Sequence, residues 1–460
     1  MTFSALDSQI LGPLFASDEM RAVFSDRARL QAMLRVEAAL AWAQSRFGMV
    51  PEELPAAVKA IRAEKLDVTD IGAQTVLAGV PTIPFVKAVQ AKLPKDVEPY
   101  FHKGATTQDI VDTALVLQMR EAFALIAREL DPILAGLAGL AREHRQTPCV
   151  GRTYGQHAAP VTFGYKVAVW ASGIAEVADQ LPWLRERALV VSLGGPVGTF
   201  TAAGAQGPAV VAAFAEELGL GTTPATWHTL RARMVETGAW LATLMGALAK
   251  MATDVVHLAS TEVGEVAEPY VPGRGGSSAM PHKRNPVSAT VILATHAAGK
   301  GHVATLLEAM AASHERPAGP WHAEWQTLPQ LFGLASAGLR EARTLAEGLM
   351  VDRARMRQNI DATRGLLFAD AVAARLAPKL GRHRAHRLVE DAAGKVRTGG
   401  APLRDVLASD PQFTADVPAD ALDAAFDLSP SVEAAAVWAD RALAEIDRVR
   451  TRIAATAQTS

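Results

Sequence analysis

The feature that most restricts how this chain can fold is a stripe of apolar residues spaced by three and four. It runs Leu115, Met119, Ala122, Ile126, Leu130, Ile133, Leu137 and Leu140. That spacing puts them on one face of a helix of roughly eight turns. Leu241, Leu244, Leu248, Met251, Val255 and Leu258 form a second such stripe. Between the two, residues 161–184 are apolar almost all round, the pattern of a helix covered on every side. Strand-like alternation is almost absent. Helices much longer than the average of about 11 residues need neighbours along their whole length. The sequence therefore predicts an all-α fold built on an elongated bundle. Small residues within the stripes (Ala135, Gly136, Ala138 and Gly139; Gly246, Ala247 and Ala249) allow close helix approach. Several helices are expected to pack against partner subunits, although a large monomeric bundle would show the same pattern.

Proline punctuation divides the rest. Pro51, Pro55, Pro81, Pro84 and Pro94 break up the start of the chain, and short helices resume after Val351, with Gly399 and Gly400 between them. The expected division is an N-terminal helical domain over 1–110, a central bundle over 111–350 and a C-terminal helical domain over 351–460. The stretch 194–204 (GGPVGTFTAAG) resembles a phosphate cradle, but it lacks a preceding strand and the Lys-Ser/Thr ending, so it reads as a connecting loop. The basic cluster 382–387 (RHRAHR) reads as a solvated helix face.

Charge and cysteine content exclude several classes. With 46 basic against 48 acidic residues the formal net charge is −2, whereas nucleic-acid and anionic-membrane partners call for a basic surplus. The single cysteine, Cys149, rules out an internal disulfide framework and a four-cysteine zinc site. Residues 1–15 carry no basic segment followed by an apolar run, so no signal peptide is expected. Apolar runs are broken before about 20 residues, so no membrane span is expected either. A cytoplasmic enzyme is the resulting expectation.

The chemistry concentrates in 273–286 (GRGGSSAMPHKRNP), which interrupts two helical stretches. Its glycines permit unusual backbone angles and close approach of N–H groups to an anion. Two serines, a lysine and an asparagine before proline follow; separately each is weak, and Ser-Ser after Gly-Gly is ordinarily a linker. Together, 276–286 match the pattern GSSxMPxKxNP at every fixed position, and the chain resembles the fumarase/aspartase superfamily. That resemblance implies a loop that closes over substrate, with Ser277 as the base and Ser278 and Met280 beside it. A serine hydroxyl is normally too weak an acid for this, so its alkoxide has to be stabilised by N–H donors and positive charge. Lys283 and Asn285 are the matching positions for holding a substrate carboxylate and the dianion formed next to it.

Two further segments resemble the same superfamily. In 104–113 (GATTQDIVDT), Thr106, Thr107 and Gln108, preceded by His102, match a carboxylate grip. A helix cap made by Thr107 or Asp109 is the alternative, and both roles are expected. In 151–162 (GRTYGQHAAPVT), Thr153 and Gln156 carry over as substrate contacts, with Tyr154 and His157 alongside. Resemblance begins at 24–51 and covers nearly the whole chain, least distinctively towards the C-terminus.

Adenylosuccinate lyases share MPHKRNP, but three positions depart from them. Tyr154 stands where that branch has its acid histidine, Thr290 stands where it has the partnering glutamate, and 82–86 (TIPFV) replaces a Thr-x-His-Asp-Val segment. An amine or hydroxide needs a proton as it leaves; a carboxylate or nitrite does not. The site therefore looks suited to adding or eliminating a carboxylate across a double bond. In this the chain is similar to the superfamily's cycloisomerase branch, in which a carboxymuconate closes a lactone. Matching stretches are 227–236 (WHTLRARMVE), 262–272 (EVGEVAEPYVP) and 314–329 (HERPAGPWHAEWQTLP).

By that resemblance the substrate is a small tricarboxylate. Arg231, Arg233 and Arg316 are candidates for its extra carboxylates, since arginine forks bind carboxylates bidentately; each could equally be a structural ion-pair partner. No metal, nucleotide or organic cofactor is implied, and no metal-spaced His/Cys set occurs. The resemblance also implies a homotetramer with active sites shared between three subunits. A lyase releasing another stable anion, such as nitrite from a nitrosuccinate-type dicarboxylate, is the alternative, and adenylosuccinate lyase fits less well.

Overall fold

The computed structural model describes residues 3–276, 279–280, 282–415 and 417–458, with side chains as far as 454. Asp26–Arg46 (α1) leads the N-terminal part. The first apolar stripe forms Thr107–Glu143 (α2), a helix of 37 residues. At 1.5 Å per residue it is about 55 Å long. Seven of the eight predicted stripe residues are buried, Leu140 being only partly covered.

A hairpin follows α2, where no strand is expected from the sequence. Pro148–Thr153 (β1) pairs antiparallel with Gln156–Thr162 (β2). The predicted helix over 161–184 instead begins after β2, as Phe163–Ala178 (α3), and breaks before a separate helix at Leu181–Ala188. Pro182 causes the break, because it brings no N–H and is tolerated only in a first helical turn.

The second stripe forms Ala232–Leu258 (α4), with all six predicted residues buried. By length and apolarity α4 could cross a membrane, contrary to the expectation that apolar runs stop short of that. Half of its most apolar stretch is buried in the protein. It packs on α3, on Val287–Ala309 (α5) and on Pro320–Gly348 (α6). Helices α2 and α6 run side by side in one direction: Asp112 meets Trp321 and Gly136 meets Ala346. A Cβ at Gly136 would stand 2.8 Å from the Ala346 carbonyl oxygen, so glycine sets that approach.

Among the described residues, apolar side chains gather in three large cores and a small fourth of Val150, Ile360 and Leu367, and the chain crosses the expected boundaries between them. The central core gathers α2 to α6 and takes in Ser429–Gln458 (α7) through Ala439, Leu443, Ile446, Val449 and Ile453. The N-terminal core extends through the start of α2 and recruits residues 191–218. The third core spans 372–425, and the basic cluster 382–387 exposes its five charged or imidazole side chains there while Ala385 faces inward.

Candidate active site

Thr106 is the N-cap of α2, in place of Thr107 or Asp109. Its N–H donates to Asp109 Oδ2 at 3.0 Å, which gives Asp109 the capping share expected of it. The same buried carboxylate accepts from the N–H groups of Gly194 and Gly195 at 2.8 and 2.9 Å and pairs with His228 Nε2 at 2.7 Å. The glycine-rich stretch is thus a connecting loop pinned to the start of α2. Gly195 has φ +66, and a Cβ there would meet the Gly104 carbonyl oxygen at 2.8 Å.

Arg316 reaches the same rim, donating from Nη2 to Thr106 Oγ1 at 2.8 Å and to the Pro196 carbonyl at 3.1 Å. Its Nε is buried without a partner, and no ion pair to a carboxylate occurs among the described residues. His102 lies just upstream in the left-handed region (φ +59), its Nδ1 2.6 Å from Glu37 Oε1. Burial opposes its charged form, but the Glu37 carboxylate, with a lesser contribution from Asp109, outweighs this and raises its pKa. Thr107 is half-buried. Gln108 is fully buried, donating to Asp112 and to the His228 carbonyl, so it points into the core and not to the rim.

The three candidate arginines separate. Arg231 is buried between Asp112 (Nη1–Oδ2 2.7 Å) and Glu324 (Nε–Oε1 2.9 Å), and Trp321 Nε1 also donates to Asp112. Burial disfavours its charge, but the two carboxylates outweigh that and raise its pKa. Both of its forks are occupied, so it is a structural ion-pair partner and not an open carboxylate site. Arg233 donates to the Arg187 carbonyl at 3.1 Å and lies over the Trp227 ring. It lines a separate cavity of about 550 Å³ with Trp183, Thr222 and Thr223. Of the three, Arg316 reaches the Thr106 rim of the 104–113 motif, whereas Arg231 meets that motif inside the protein, at Asp112.

In the hairpin, Thr153 and Gln156 are directly paired across a two-residue turn, Tyr154 (φ +51) and Gly155 (φ +75). Paired residues share a face, and the next pair, Arg152 and His157, takes the other. Arg152 is held by Glu265 at 3.1 and 2.5 Å, and Asn359 also donates to Glu265. Burial and then Arg152 lower the pKa of His157. Arg152 thus anchors the hairpin, while Thr153, Tyr154, Gln156 and His157 stand exposed, Tyr154 at 104%.

Ser277 and Ser278 lie outside the described residues. The stem of their loop is closed by Gly275, whose carbonyl accepts from Asn285 N at 2.9 Å and Asn285 Nδ2 at 3.1 Å. The Asn285 amide therefore bonds its own loop in this state. Lys283 and Met280 are exposed. Arg274 donates to Ser288 Oγ at 2.7 Å and pairs with Glu341, which also accepts from Ser288 Oγ at 2.8 Å. Glu268 accepts from the N–H groups of Ser288 and Ala289 at the start of α5. Thr290 donates its hydroxyl to the Pro286 carbonyl at 2.7 Å. Glu37 and Glu341 are not legible as candidates, since no local motif marks a carboxylate buried on a distant helix; Glu268, half-buried, lies in the matching stretch 262–272 without being singled out there.

Within one chain the three segments do not surround a common space. The first adjoins Glu324 through Asp112 and Arg231, whereas the loop stem is held by Glu341, farther along the same α6 by about 25 Å. The hairpin follows the opposite end of α2 from Thr106. Among the described residues, no group of three or more His, Cys, Asp or Glu is placed to hold a metal ion.

Comparison with known proteins adds a family. Residues 15–299 match the model described as Lyase, and residues 365–442 match that described as Adenylosuccinate lyase C-terminus. The chain is 45% identical to a 3-carboxy-cis,cis-muconate cycloisomerase of Pseudomonas aeruginosa, covering 95% of this chain and 96% of the relative. It is 43% identical to a nitrosuccinate lyase of Streptomyces davaonensis, covering 97% and 96%. The crystal structure of the 3-carboxy-cis,cis-muconate lactonizing enzyme from Pseudomonas putida superposes with TM-score 0.91 at 43% identity, over 96% of this chain and all of that one.

Proposed function

Because the chain belongs to the Lyase family, within the fumarase/aspartase superfamily, we propose that it interconverts 3-carboxy-cis,cis-muconate and 4-carboxymuconolactone. It is then an intramolecular lyase of aromatic-compound catabolism. Identity of 45% over nearly the full length of a relative so named supports this most directly. The observation in the site that carries it is the absence of an acid pair. Tyr154 stands at the hairpin tip where a histidine would be, and the Thr290 hydroxyl is donated to a carbonyl. A carboxylate adding to a double bond needs no proton, so no acid is required at that position.

In the lactonising direction a substrate carboxylate oxygen forms a bond to the ring-closing carbon. The π electrons move onto the adjacent carbon and its carboxylate, giving an aci-dianion held by Lys283, Asn285 and the threonines Thr106, Thr107 and Thr153. The Ser277 hydroxyl then delivers its proton to that carbon, and in reverse its alkoxide removes it. Positive charge and fixed donors where charge develops are the main source of rate. Arg316 and His102 take the carboxylates remote from the reacting carbon, with Gln156 and Tyr154 contributed from a hairpin on another copy. Three motifs at three levels of one elongated chain can meet only between copies, and a homotetramer with three-subunit sites satisfies that.

A second reading, elimination of nitrite from nitrosuccinate, is favoured by the 43% identity to the Streptomyces enzyme. It needs no acid either, but it leaves fewer carboxylates for the cations. Ultraviolet assays of the purified protein with 3-carboxymuconate, nitrosuccinate, adenylosuccinate and fumarate separate them. Loss of the conjugated-diene absorbance with the first alone is expected. Turnover of nitrosuccinate or adenylosuccinate without the first would overturn the assignment.

A further inference from the structure

Glu37 has no part in the chemistry above, yet it is a carboxylate 1% exposed in the wall behind the first motif. A buried carboxylate is costly unless paired. Its Oε1 lies 2.6 Å from His102 Nδ1, and its Oε2 makes no hydrogen bond. A contact that short needs a proton between the two atoms; with Glu37 ionised that proton sits on Nδ1, and Nε2 is the nitrogen left for a ligand. The backbone holds the ring there: φ is +59 at His102, and Gln44 Nε2 donates to the Lys103 carbonyl at 2.7 Å. At Gly104 (φ +74) a Cβ would collide with that of Ala202 at 2.4 Å. The imidazole keeps 19% of its surface open, four residues ahead of the Thr106–Arg316 contact.

We propose that Glu37 is a positioning residue that keeps His102 as an oriented imidazolium, whose Nε2–H binds a substrate carboxylate remote from the reacting carbon. This rests on the substrate class proposed above. The raised His102 pKa agrees with it. Asp109, on α2, reinforces Glu37, whereas Lys103 turns its Nζ to the Met49 carbonyl and Arg316 stays at Thr106. The packed loop 194–204 carries no ionisable side chain. Binding then requires the charged ring and is lost as pH rises through its pKa.

The test is the pH profile of kcat/KM for the wild type, Glu37→Gln, Glu37→Asp and His102→Gln, on whichever superfamily substrate the wild type turns over. The wild type is expected to lose kcat/KM on an alkaline limb. In Glu37→Gln that limb should move down by about one to two pH units. KM above it should rise about tenfold for each pH unit the limb moves, with kcat nearly unchanged. Glu37→Asp should restore the limb, and His102→Gln should abolish it. A limb at the same pH in Glu37→Gln would overturn the proposal. If Glu37→Gln does not fold, His102→Gln decides, and a limb unchanged there would overturn it too. Inactivity of the wild type on 3-carboxymuconate would instead refute the substrate assignment, and the limb would then be read on the substrate that is turned over.

Discussion

Arg316 donates from Nη2 to the Thr106 hydroxyl at 2.8 Å, which sets a guanidinium without a carboxylate partner at the N-terminus of the 37-residue α2. Helix N-terminus and guanidinium both favour an anion there. Replacing Arg316 with Met should raise KM for a tricarboxylate about 10- to 100-fold, the worth of one charged hydrogen bond. Stability should change by less than about 1 kcal/mol, since no ion pair is broken. Steady-state kinetics and urea unfolding check the two halves.

Arg231→Met should do the reverse. It strands Asp112 and Glu324, both buried, and breaking such a pair typically costs about 3–5 kcal/mol. Urea or thermal unfolding should show the loss. A normally stable Arg231→Met enzyme with only a raised KM would return this arginine to the substrate.

The proposed sharing of sites between copies predicts complementation. Ser277→Ala and Thr153→Ala should each be nearly inactive alone while remaining folded. Refolding the two together should restore part of the activity, because some sites receive an intact loop and an intact hairpin from different copies. Mixtures no more active than the separate variants would mean that each chain builds its own site.

Arg274 and Ser288 flank the signature loop and meet on Glu341. Ser288→Ala removes one strand of that clamp, worth about 1 kcal/mol. Turnover should fall by about fivefold, with KM changing less, because the loop carrying Lys283 and Asn285 is then less well oriented. An unchanged kcat would show that the Gly275–Asn285 bonds hold the stem unaided.

Cys149 is fully buried, and burial pushes its thiol up to about 12. Only the thiolate reacts, and a raised pKa keeps the thiol neutral across the neutral and mildly alkaline range. Modification by an aromatic disulfide reagent should therefore proceed at the rate of unfolding. Rapid labelling of the native protein at pH 8 would contradict this.

Local pattern accounts for much of the architecture. The steps of three and four that run through Leu115 and Leu241 predict α2 and α4, because a helix repeats its buried face at that spacing. They miss the hairpin, which depends on paired residues three to fourteen apart and on two left-handed turn residues. They also extend a helix across Pro182, where apolar residues resume after Asp179 and Gln180 but an N–H is missing. The domain boundaries drawn from proline punctuation miss α7, whose buried face belongs to the central core built on α2 to α6.

The candidate site divides in the same way. The loop motif at 276–286 is a run of consecutive residues, so Ser277, Lys283 and Asn285 are candidates that need no fold to be named. The sequence by itself determined a helical lyase-type chain that works beside a carboxylate. Only the tertiary structure decided which charged groups are spent inside the protein. Arg231 and Arg316 look alike in the sequence, but one is enclosed by Asp112 and Glu324 while the other reaches Thr106 with no carboxylate to neutralise it. Burial and pairing depend on residues a hundred or more positions away, and that is information a local pattern does not carry.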